Sequence, residues 1–423
     1  MQTYRVALIG CGSRGLAQAR AITQHPRLEL VAVCDLAPQL RDSLGERFGV
    51  GARYADFEQM LREQEPDVVN IPTATRFHAP LAETVLRLGY HVDVEKPLTL
   101  TLEELDRLLT AQRASGKHLV PHHQAAVHPP ARKLRELVRQ GYIGRPYAAR
   151  LRNKGYYGGF GIIHQGCHAL ALLASILGPA RAVSAHMVTA GHPTTVDEVY
   201  RAPYGYGLTA GEHLTCLYEL HDGVYVINEE HYRPAVDSST VRFEIVGTEG
   251  ALALDHAVPL QVYHTPSPHW HPAKTEWRPV PLSDGERRVA GYDFADEAVK
   301  GMDLWLADEW VRALDEGREP VINARVGAAT MEMIHGAYAS HTLGRRIALP
   351  QADRSHPLES WLRREGRPAP GRAPDTYAEW IAWALAKARE QEEAGPRAPR
   401  AGHPQAGHRV EPAAGDEAAH SKA

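Results

Sequence analysis

The 423-residue sequence predicts an α/β domain with a parallel sheet, followed by an α+β domain with a large, mostly antiparallel sheet. Three observations predict this fold class. Short apolar runs alternate with amphipathic helical runs over residues 1–125, a glycine-rich turn follows the first apolar run, and longer alternating runs begin after about residue 145. Alternation of strands and helices with short connections is typical of a parallel sheet covered by helices on both faces.

The elements predicted for residues 1–125 follow one another closely. Strands are expected at residues 6–9, 28–34, 67–71, 91–94 and 118–121. Helices are expected at residues 16–23, 39–48, 56–63, 80–88 and 102–114. Ligands of such sheets bind at the carboxyl ends of the strands, so functional residues are expected in the turns that follow them.

The turn after the first strand has the glycine spacing of a dinucleotide-binding loop. It reads Gly10-Cys11-Gly12-Ser13-Arg14-Gly15, in which the glycines allow a tight turn, approach of a pyrophosphate and close packing of the helix. Asp35 ends the second strand 20 residues after Gly15, where a carboxylate can accept both ribose hydroxyls. We therefore predict a Rossmann domain that binds NAD rather than NADP, because this carboxylate repels a 2′-phosphate. Arg14 could weaken that preference.

Composition excludes several classes of function. The net charge is −4 and no basic tract stands out, which does not favour nucleic acid or an anionic membrane as partner. The longest apolar run, residues 169–177, is too short to span a bilayer, and the N-terminus lacks the pattern of a secretory signal. The four cysteines are widely spaced and are expected as free thiols in a reducing compartment, the cytoplasm.

The second domain is predicted from longer runs. Strands are expected at residues 147–153, 182–188, 214–219, 224–231, 240–246 and 252–254, with a hairpin turn at Thr248-Glu249-Gly250. Helices are expected at residues 161–177, 294–316 and 324–343, the last two crossing back onto the first domain. We place domain boundaries at 1–125 and 126–350. An extension at 351–393 is expected to contain one helix, at residues 376–392, and residues 394–423 are expected to be a disordered tail.

A candidate catalytic residue follows the predicted strand at residues 91–94, which leads into Glu95-Lys96-Pro97. A lysine at this carboxyl end would lie beside the nicotinamide. Its ammonium can hold a substrate hydroxyl, and the positively charged ring would lower its pKa toward a working value. The alternative is an ordinary surface lysine in a loop.

Several motifs, in this order and spacing, resemble the Gfo/Idh/MocA oxidoreductases over about the first 340 residues. They are residues 10–15, Asn70-Ile71-Pro72-Thr73 with His78-Ala79-Pro80, Glu95-Lys96-Pro97, Ile143-Gly144-Arg145-Pro146, and residues 243–250. The resemblance implies a Rossmann domain and an open-faced antiparallel sheet that often mediates homodimers or homotetramers. It also adds Pro72, Thr73, His78, Glu95 and Lys96 to the glycine turn as cofactor contacts.

The resemblance further implies an acid–base pair. In that family the lysine of the Glu-Lys-Pro motif binds substrate, and a later helix faces the nicotinamide. Here His168 matches the histidine that usually accepts the proton of the substrate hydroxyl, and His164 stands where the family has an acid. A neutral imidazole at position 164 can only donate or accept a hydrogen bond, which changes any proton relay there.

Two other interpretations of His164 and His168 remain open. Their i, i+4 spacing could bind a metal, or both could be satisfied structural residues at the domain junction. The glutamate of an H-E-x-x-H motif is missing and no third ligand is marked nearby, so no metal is predicted.

Substrate contacts are expected to differ from the family's. Ala125 and Ala126 stand where an aromatic residue and an arginine are expected, so His123 or Gln124 is predicted to take over. The first strand of the second domain ends near three polar side chains that could line the cleft or be ordinary strand-end residues: Asn153, Lys154 and Tyr156.

These residues predict an NAD-dependent dehydrogenase for a hydroxyl of a sugar, sugar derivative or cyclic polyol, or for reduction of the keto form. His168 would take the proton and Lys96 would hold the oxygen while hydride passes to the cofactor. One alternative is a redox-neutral, NAD-dependent glycoside hydrolase or lyase that oxidises the sugar transiently. Another is a non-catalytic dinucleotide sensor. The resemblance favours the dehydrogenase, because relatives of both other kinds commonly lack the lysine.

Overall fold

Two large sheets organise the described part of the chain. The computed structural model describes residues 2–370 apart from 155–161, 190, 203–204, 212, 232–241, 256–259, 268–275 and 294–302.

The first sheet contains six parallel strands. They are β1 (Tyr4–Ile9), β2 (Leu28–Cys34), β3 (Arg53–Tyr54), β4 (Val68–Ile71), β5 (His91–Val94) and β6 (Leu119–Pro121), in the order β3-β2-β1-β4-β5-β6. The connecting helices are α1 (Ser13–Gln24), α2 (Pro38–Phe48), α3 (Phe57–Gln64), α4 (His78–Arg87) and α5 (Leu102–Ser115). This strand order is that of a Rossmann fold, so the predicted class of the first fold is confirmed. Strand β3 was not predicted, because two residues are too few to show a periodic pattern.

The second sheet has ten strands. They are β7 (Pro146–Lys154), β8 (Ala180–Thr189), β9 (His192–Pro193), β12 (His213–Leu220), β13 (Tyr225–His231), β14 (Arg242–Gly247), β15 (Gly250–Asp255), β16 (Gln261–Thr265), β17 (Arg278–Val280) and β20 (Ile347–Ala348). Two short pairs lie outside it, β10 (Tyr200–Arg201) with β11 (Leu208–Thr209) and β18 (Arg288–Val289) with β19 (Tyr292–Asp293).

The order of the second sheet is β17-β16-β15-β14-β7-β13-β12-β8-β20, and β9 pairs with β8. Neighbours are antiparallel except β7 and β13, which run parallel. The predicted large, mostly antiparallel sheet is therefore confirmed. Thr248 and Glu249 connect β14 to β15 as the predicted hairpin turn.

The remaining helices are α6 (Pro129–Arg139), α7 (Cys167–Leu177), α8 (Asp284–Arg287), α9 (Asp303–Glu316), α10 (Ala324–Leu343) and α11 (Pro357–Arg364). The helix predicted at residues 161–177 is interrupted, because a π-helical turn (Ile162–Gly166) precedes α7. The part of the predicted helix at 294–316 that precedes Asp303, the helix predicted at 376–392 and the tail lie outside the described residues.

Helices α9 and α10 pack on the first domain. The Tyr4 hydroxyl on β1 donates to Asp315 of α9 at 2.8 Å, and the Trp310 indole donates to Asp93 of β5 at 2.9 Å. On α10, a Cβ at Gly327 would lie 2.9 Å from the Pro121 ring of β6. The two helices thus contact three strands of the first sheet. No helix among the described residues combines the length and apolar character needed to cross a membrane.

Candidate active site

The glycine turn joins β1 to α1 in a geometry that only glycine allows at two positions. Gly10 has φ +110°, a conformation that L side chains rarely adopt, and a Cβ there would lie 3.0 Å from Thr73 Cγ2. A Cβ at Gly15 would collide with the Gly10 carbonyl oxygen, so its absence lets α1 pack directly on the turn.

The N-terminus of α1 offers a cradle for a phosphate group. Among the described residues, no atom lies within 4 Å of a Cβ built at Gly12, and no side chain caps the helix there. The first N–H groups of α1, beginning at the exposed Ser13, have no acceptor within the helix and lie at the positive end of its dipole. These residues fit the pyrophosphate of a dinucleotide.

Asp35 lies at the end of β2 beside this turn and is 4% exposed. Its carboxylate accepts the Cys11 N–H at 2.8 Å and the Ala37 N–H at 2.9 Å. The predicted ribose contact stays a prediction, and Asp35 also shapes the turn itself.

Arg14 is held by two carboxylates. Its guanidinium donates to Glu95 at 3.1 Å and to Asp303 at 2.7 Å. Burial opposes the charge, but the two carboxylates outweigh it and raise the pKa of Arg14. The guanidinium is thus engaged in the protein, which weakens the idea that it receives a 2′-phosphate.

The loops after β4 and β5 are joined by His78. Its Nδ1 lies 2.8 Å from the Pro97 carbonyl oxygen and its Nε2 lies 3.0 Å from that of Thr73. The ring is 0% exposed, so His78 positions both loops and its predicted direct contact with the cofactor is not supported. Pro72 lies against the glycine turn, with its carbonyl oxygen 3.2 Å from a Cβ built at Gly10.

Lys96 follows β5 and is 6% exposed. Its Nζ donates to the Tyr206 hydroxyl at 3.0 Å, lies 4.6 Å from the centre of that ring, and lies 3.5 Å from the His164 carbonyl oxygen. Burial favours the neutral amine, but Tyr206, Cys167 and Glu95 outweigh it and raise the pKa of Lys96. Without a positive nicotinamide beside it, the group is an ammonium and a hydrogen-bond donor.

Sequence reasoning missed Tyr206. It lies in a glycine-flanked segment, Gly205-Tyr206-Gly207, that carries no recognisable motif, and it is 110 positions from Lys96. Only the fold brings the phenol to the lysine.

Three histidines surround Lys96, all neutral at pH 7. Burial, followed by the charge of Lys96, lowers the pKa of His123 and of His164 to about 3 and holds that of His168 well below its usual value. The rings of His123 and His168 meet edge to face with centroids 5.3 Å apart, and the His164 ring meets Tyr206 in the same way at 5.3 Å. A neutral imidazole can accept a proton, as the predicted role of His168 requires.

The other predicted substrate contacts differ in where they lie in the structure. Gln124 lies in the short turn after His123, with its amide oxygen buried. Asn153 is 3% exposed and donates to Asn228 and Glu230, both at 3.1 Å, which does not favour a substrate contact. The Lys154 side chain and Tyr156 lie outside the described residues.

A buried network supports the loop that carries Lys96. Glu95 accepts Gln18 at 3.0 Å as well as Arg14, and the Gln18 amide oxygen in turn accepts Asn70 at 3.0 Å. These residues come from α1, β4 and the end of β5, so they tie the glycine turn to the lysine loop.

The same network extends to α9 through His122. The His122 ring lies between Asp93, at 2.8 Å, and Asp303, at 2.9 Å. Burial opposes protonation, but the two carboxylates raise the pKa of His122 to about 10. No local sequence pattern signals this arrangement, because Asp303 lies 181 positions from His122.

Comparison with known protein families shows which of them match this chain. Residues 4–123 match the family described as oxidoreductase family, NAD-binding Rossmann fold, and residues 131–253 match the GFO/IDH/MocA C-terminal domain. Together the matches cover more than half of the chain.

Individual proteins are similar to this chain at lower identity. D-apiose dehydrogenase from Paraburkholderia graminis is 23% identical over 84% of this chain and 92% of its own length. D-glucoside 3-dehydrogenase from Escherichia coli K12 is 33% identical over 43% of this chain and 57% of its own length. A levoglucosan dehydrogenase structure, in complex with NADH and levoglucosan, aligns over 83% of this chain and 100% of its own with a TM-score of 0.69 and 19% identity.

At that identity the structural likeness shows the fold alone, whereas the two family matches include residues of both large sheets. The chain is a member of the Gfo/Idh/MocA oxidoreductases, with an NAD-binding Rossmann domain followed by the family's C-terminal domain.

Proposed function

We propose that this protein oxidises a hydroxyl of a sugar, sugar derivative or cyclic polyol, or reduces the corresponding ketone. The observation that carries the proposal is the meeting of an ammonium, Lys96, with neutral imidazoles at the carboxyl end of the Rossmann sheet. NAD held along the glycine turn supplies the hydride acceptor.

His168 accepts the hydroxyl proton, because burial and the charge of Lys96 keep its ring neutral. Lys96 donates a hydrogen bond to the same oxygen and stabilises the negative charge that develops there. Tyr206 orients Lys96 through the 3.0 Å hydrogen bond between its hydroxyl and Nζ. His164 supports this arrangement from the turn before α7, where its carbonyl oxygen faces Nζ.

A polyhydroxylated substrate fits this cleft, since its predicted lining is rich in donors and acceptors rather than apolar side chains. His123 and Gln124 are the proposed contacts from the first domain, and Lys154 and Tyr156 are those from the second. The names of D-apiose dehydrogenase and D-glucoside 3-dehydrogenase support a sugar as the substrate class.

We also propose that a second copy of the chain docks on the open face of the second sheet. Leu217, Tyr225 and Ile227 lie on β12 and β13 with 42%, 46% and 36% of their surface exposed, and Leu217 pairs directly with Ile227. Such adjacent apolar side chains are typical of an association surface.

A reducing, cytoplasmic location is supported by four cysteines that are all free and buried.

The experiment that tests the catalytic proposal is a panel of aldoses, glycosides and inositols offered with NAD or NADP. NADH absorbance and product are followed together. A dehydrogenase accumulates NADH in step with a keto product, and we expect NAD to be preferred. Release of a cleaved glycoside without net NADH would instead identify redox-neutral chemistry, and no turnover with any compound would reject both.

A further inference from the structure

Three side chains of metal-binding types, two histidines and a cysteine, lie beside Lys96. His123 follows β6, whereas Cys167 and His168 begin α7, so the first and second domains both contribute. One ring nitrogen of each histidine and the Cys167 sulfur all lie within 4.8 Å of one another. His123 and Cys167 are buried and His168 is partly buried.

The two histidines have unused hydrogen-bonding capacity. Among the described residues, the Nδ1 atoms of His123 and His168 are buried and have no hydrogen-bond partner. Buried polar atoms in folded proteins are nearly always bonded, so an unpartnered pair beside a thiol indicates a missing ligand.

We propose that His123, Cys167 and His168 form a binding site for one Zn²⁺-class ion, with a fourth position open toward the cleft. Two imidazoles and a thiolate are the ligand types that such ions prefer. Tetrahedral coordination places ligand atoms roughly 3.5 Å apart, and the three atoms here lie at most 4.8 Å from one another, so small rotations of the side chains bring them to that spacing. This site differs from the pair of His164 and His168 that the sequence analysis considered, because His164 is not one of its ligands.

The charges around the site favour reversible binding. A neutral imidazole binds an ion through its lone pair, whereas a thiol must lose its proton before its sulfur binds as a thiolate. The Lys96 ammonium opposes a second cation nearby. We therefore expect weaker binding than at a structural zinc site, with one proton released for each ion bound.

Occupation of the site has a catalytic consequence that rests on the proposed function. A His168 that donates a lone pair to an ion is no longer the free base that accepts the substrate proton. The ion therefore acts as a reversible inhibitor, and removing it with a chelator restores turnover.

The test is a Co²⁺ titration of untagged, chelator-treated, full-length protein. We expect a thiolate-to-cobalt charge-transfer band that saturates at one ion per chain and disappears when Zn²⁺ is added. Cys167→Ala removes the band, and His123→Gln weakens Co²⁺ binding by at least the roughly 10–100-fold that loss of an outer-shell partner costs. Cys216→Ala, at an equally buried free cysteine on β12, keeps the band and its affinity.

The possible outcomes test the metal site and the inhibition of turnover separately. Absence of the band in the natural protein, or its persistence in a folded Cys167→Ala variant, would overturn the site; circular dichroism establishes folding. Turnover that is unchanged or raised at saturating Co²⁺ would overturn the inhibition. If no sugar is oxidised at all, the proposed function fails while the spectrum still decides whether the site exists.

Discussion

Lys96 keeps its proton while the imidazoles beside it stay neutral. Burial opposes the charge of Lys96, but the phenol, thiol and carboxylate nearby outweigh it and raise the pKa of the lysine. Burial, together with the resulting ammonium, lowers the pKa values of His123, His164 and His168. At the residue scale the site thus separates a permanent donor from a proton acceptor.

Replacing Lys96 by methionine tests the donor. Lys96→Met keeps the packing on Tyr206 but removes the hydrogen bond to the substrate oxygen, so we expect kcat to fall by about 10²–10⁴-fold. Steady-state kinetics with the best substrate of the panel measures this. Lys117→Met, between α5 and β6, is the control and should leave kcat unchanged. A Lys96→Met enzyme with nearly full kcat would contradict the assigned role.

The pH profile tests the acceptor. Because the pKa of His168 is depressed, the acid limb of kcat/KM should lie below the usual imidazole value of about 6.5. His164→Asp adds a negative charge four residues away that stabilises the protonated ring, so the limb should move to higher pH.

His164→Asn is the matched control for that profile, since it removes the imidazole without adding charge. Its acid limb should stay close to that of the natural protein. A limb that moves to lower pH in His164→Asp would show that His168 is not the group being titrated.

At the scale of elements, α9 is joined to the Rossmann sheet through Asp303. This carboxylate bonds both Arg14 and His122 and is 8% exposed. Its loss leaves a guanidinium and an imidazolium without their shared partner, and an unpaired buried charge is costly.

We expect Asp303→Asn to lower the free energy of unfolding by about 3–5 kcal/mol, as for other broken buried ion pairs. Urea denaturation measures the change. Asp284→Asn removes a carboxylate whose side chain is 88% exposed, so its effect should stay within about 0.5 kcal/mol. Equal effects of the two substitutions would show that Asp303 is not a buried partner.

The same junction predicts a pH-dependent stability. The pKa of His122 is about 10 in the folded protein and about 6.5 in an unfolded chain, so its stabilising contribution is complete below pH 6.5 and is lost as pH rises toward 10. The difference in unfolding free energy between the natural protein and His122→Gln should therefore shrink steadily from pH 6 to pH 9. A constant difference would mean that His122 is neutral in the fold.

What the sequence predicts at this scale depends on how local each pattern is. The glycine turn, the alternation of strands and helices in the first domain and the 248–249 hairpin follow from spacings of a few residues. Tyr206 and Asp303 could not be predicted, because their partners lie 110 and 181 positions away and carry no pattern. The turn before α7 departs from a regular helix at Gly166, where a Cβ would collide with the Glu230 carboxylate of β13.

On the scale of the whole molecule, the exposed apolar face of β12 and β13 predicts self-association. Leu217→Lys places a charge in the middle of this face, so we expect sedimentation velocity to show a shift toward the monomer. Leu88→Lys is the matched control, because Leu88 is 41% exposed at the end of α4, away from this face. If both variants sediment like the natural protein, the face is not the contact between copies.

The junction at Asp303 also affects how a random-mutagenesis screen of this enzyme should be interpreted. A change on α9 can reach Lys96 through Arg14 and Glu95 without touching any ligand. Colonies with lost activity would then include changes more than two hundred codons downstream of the lysine. Compensating changes on α1, the helix that carries Arg14, could rescue their defects.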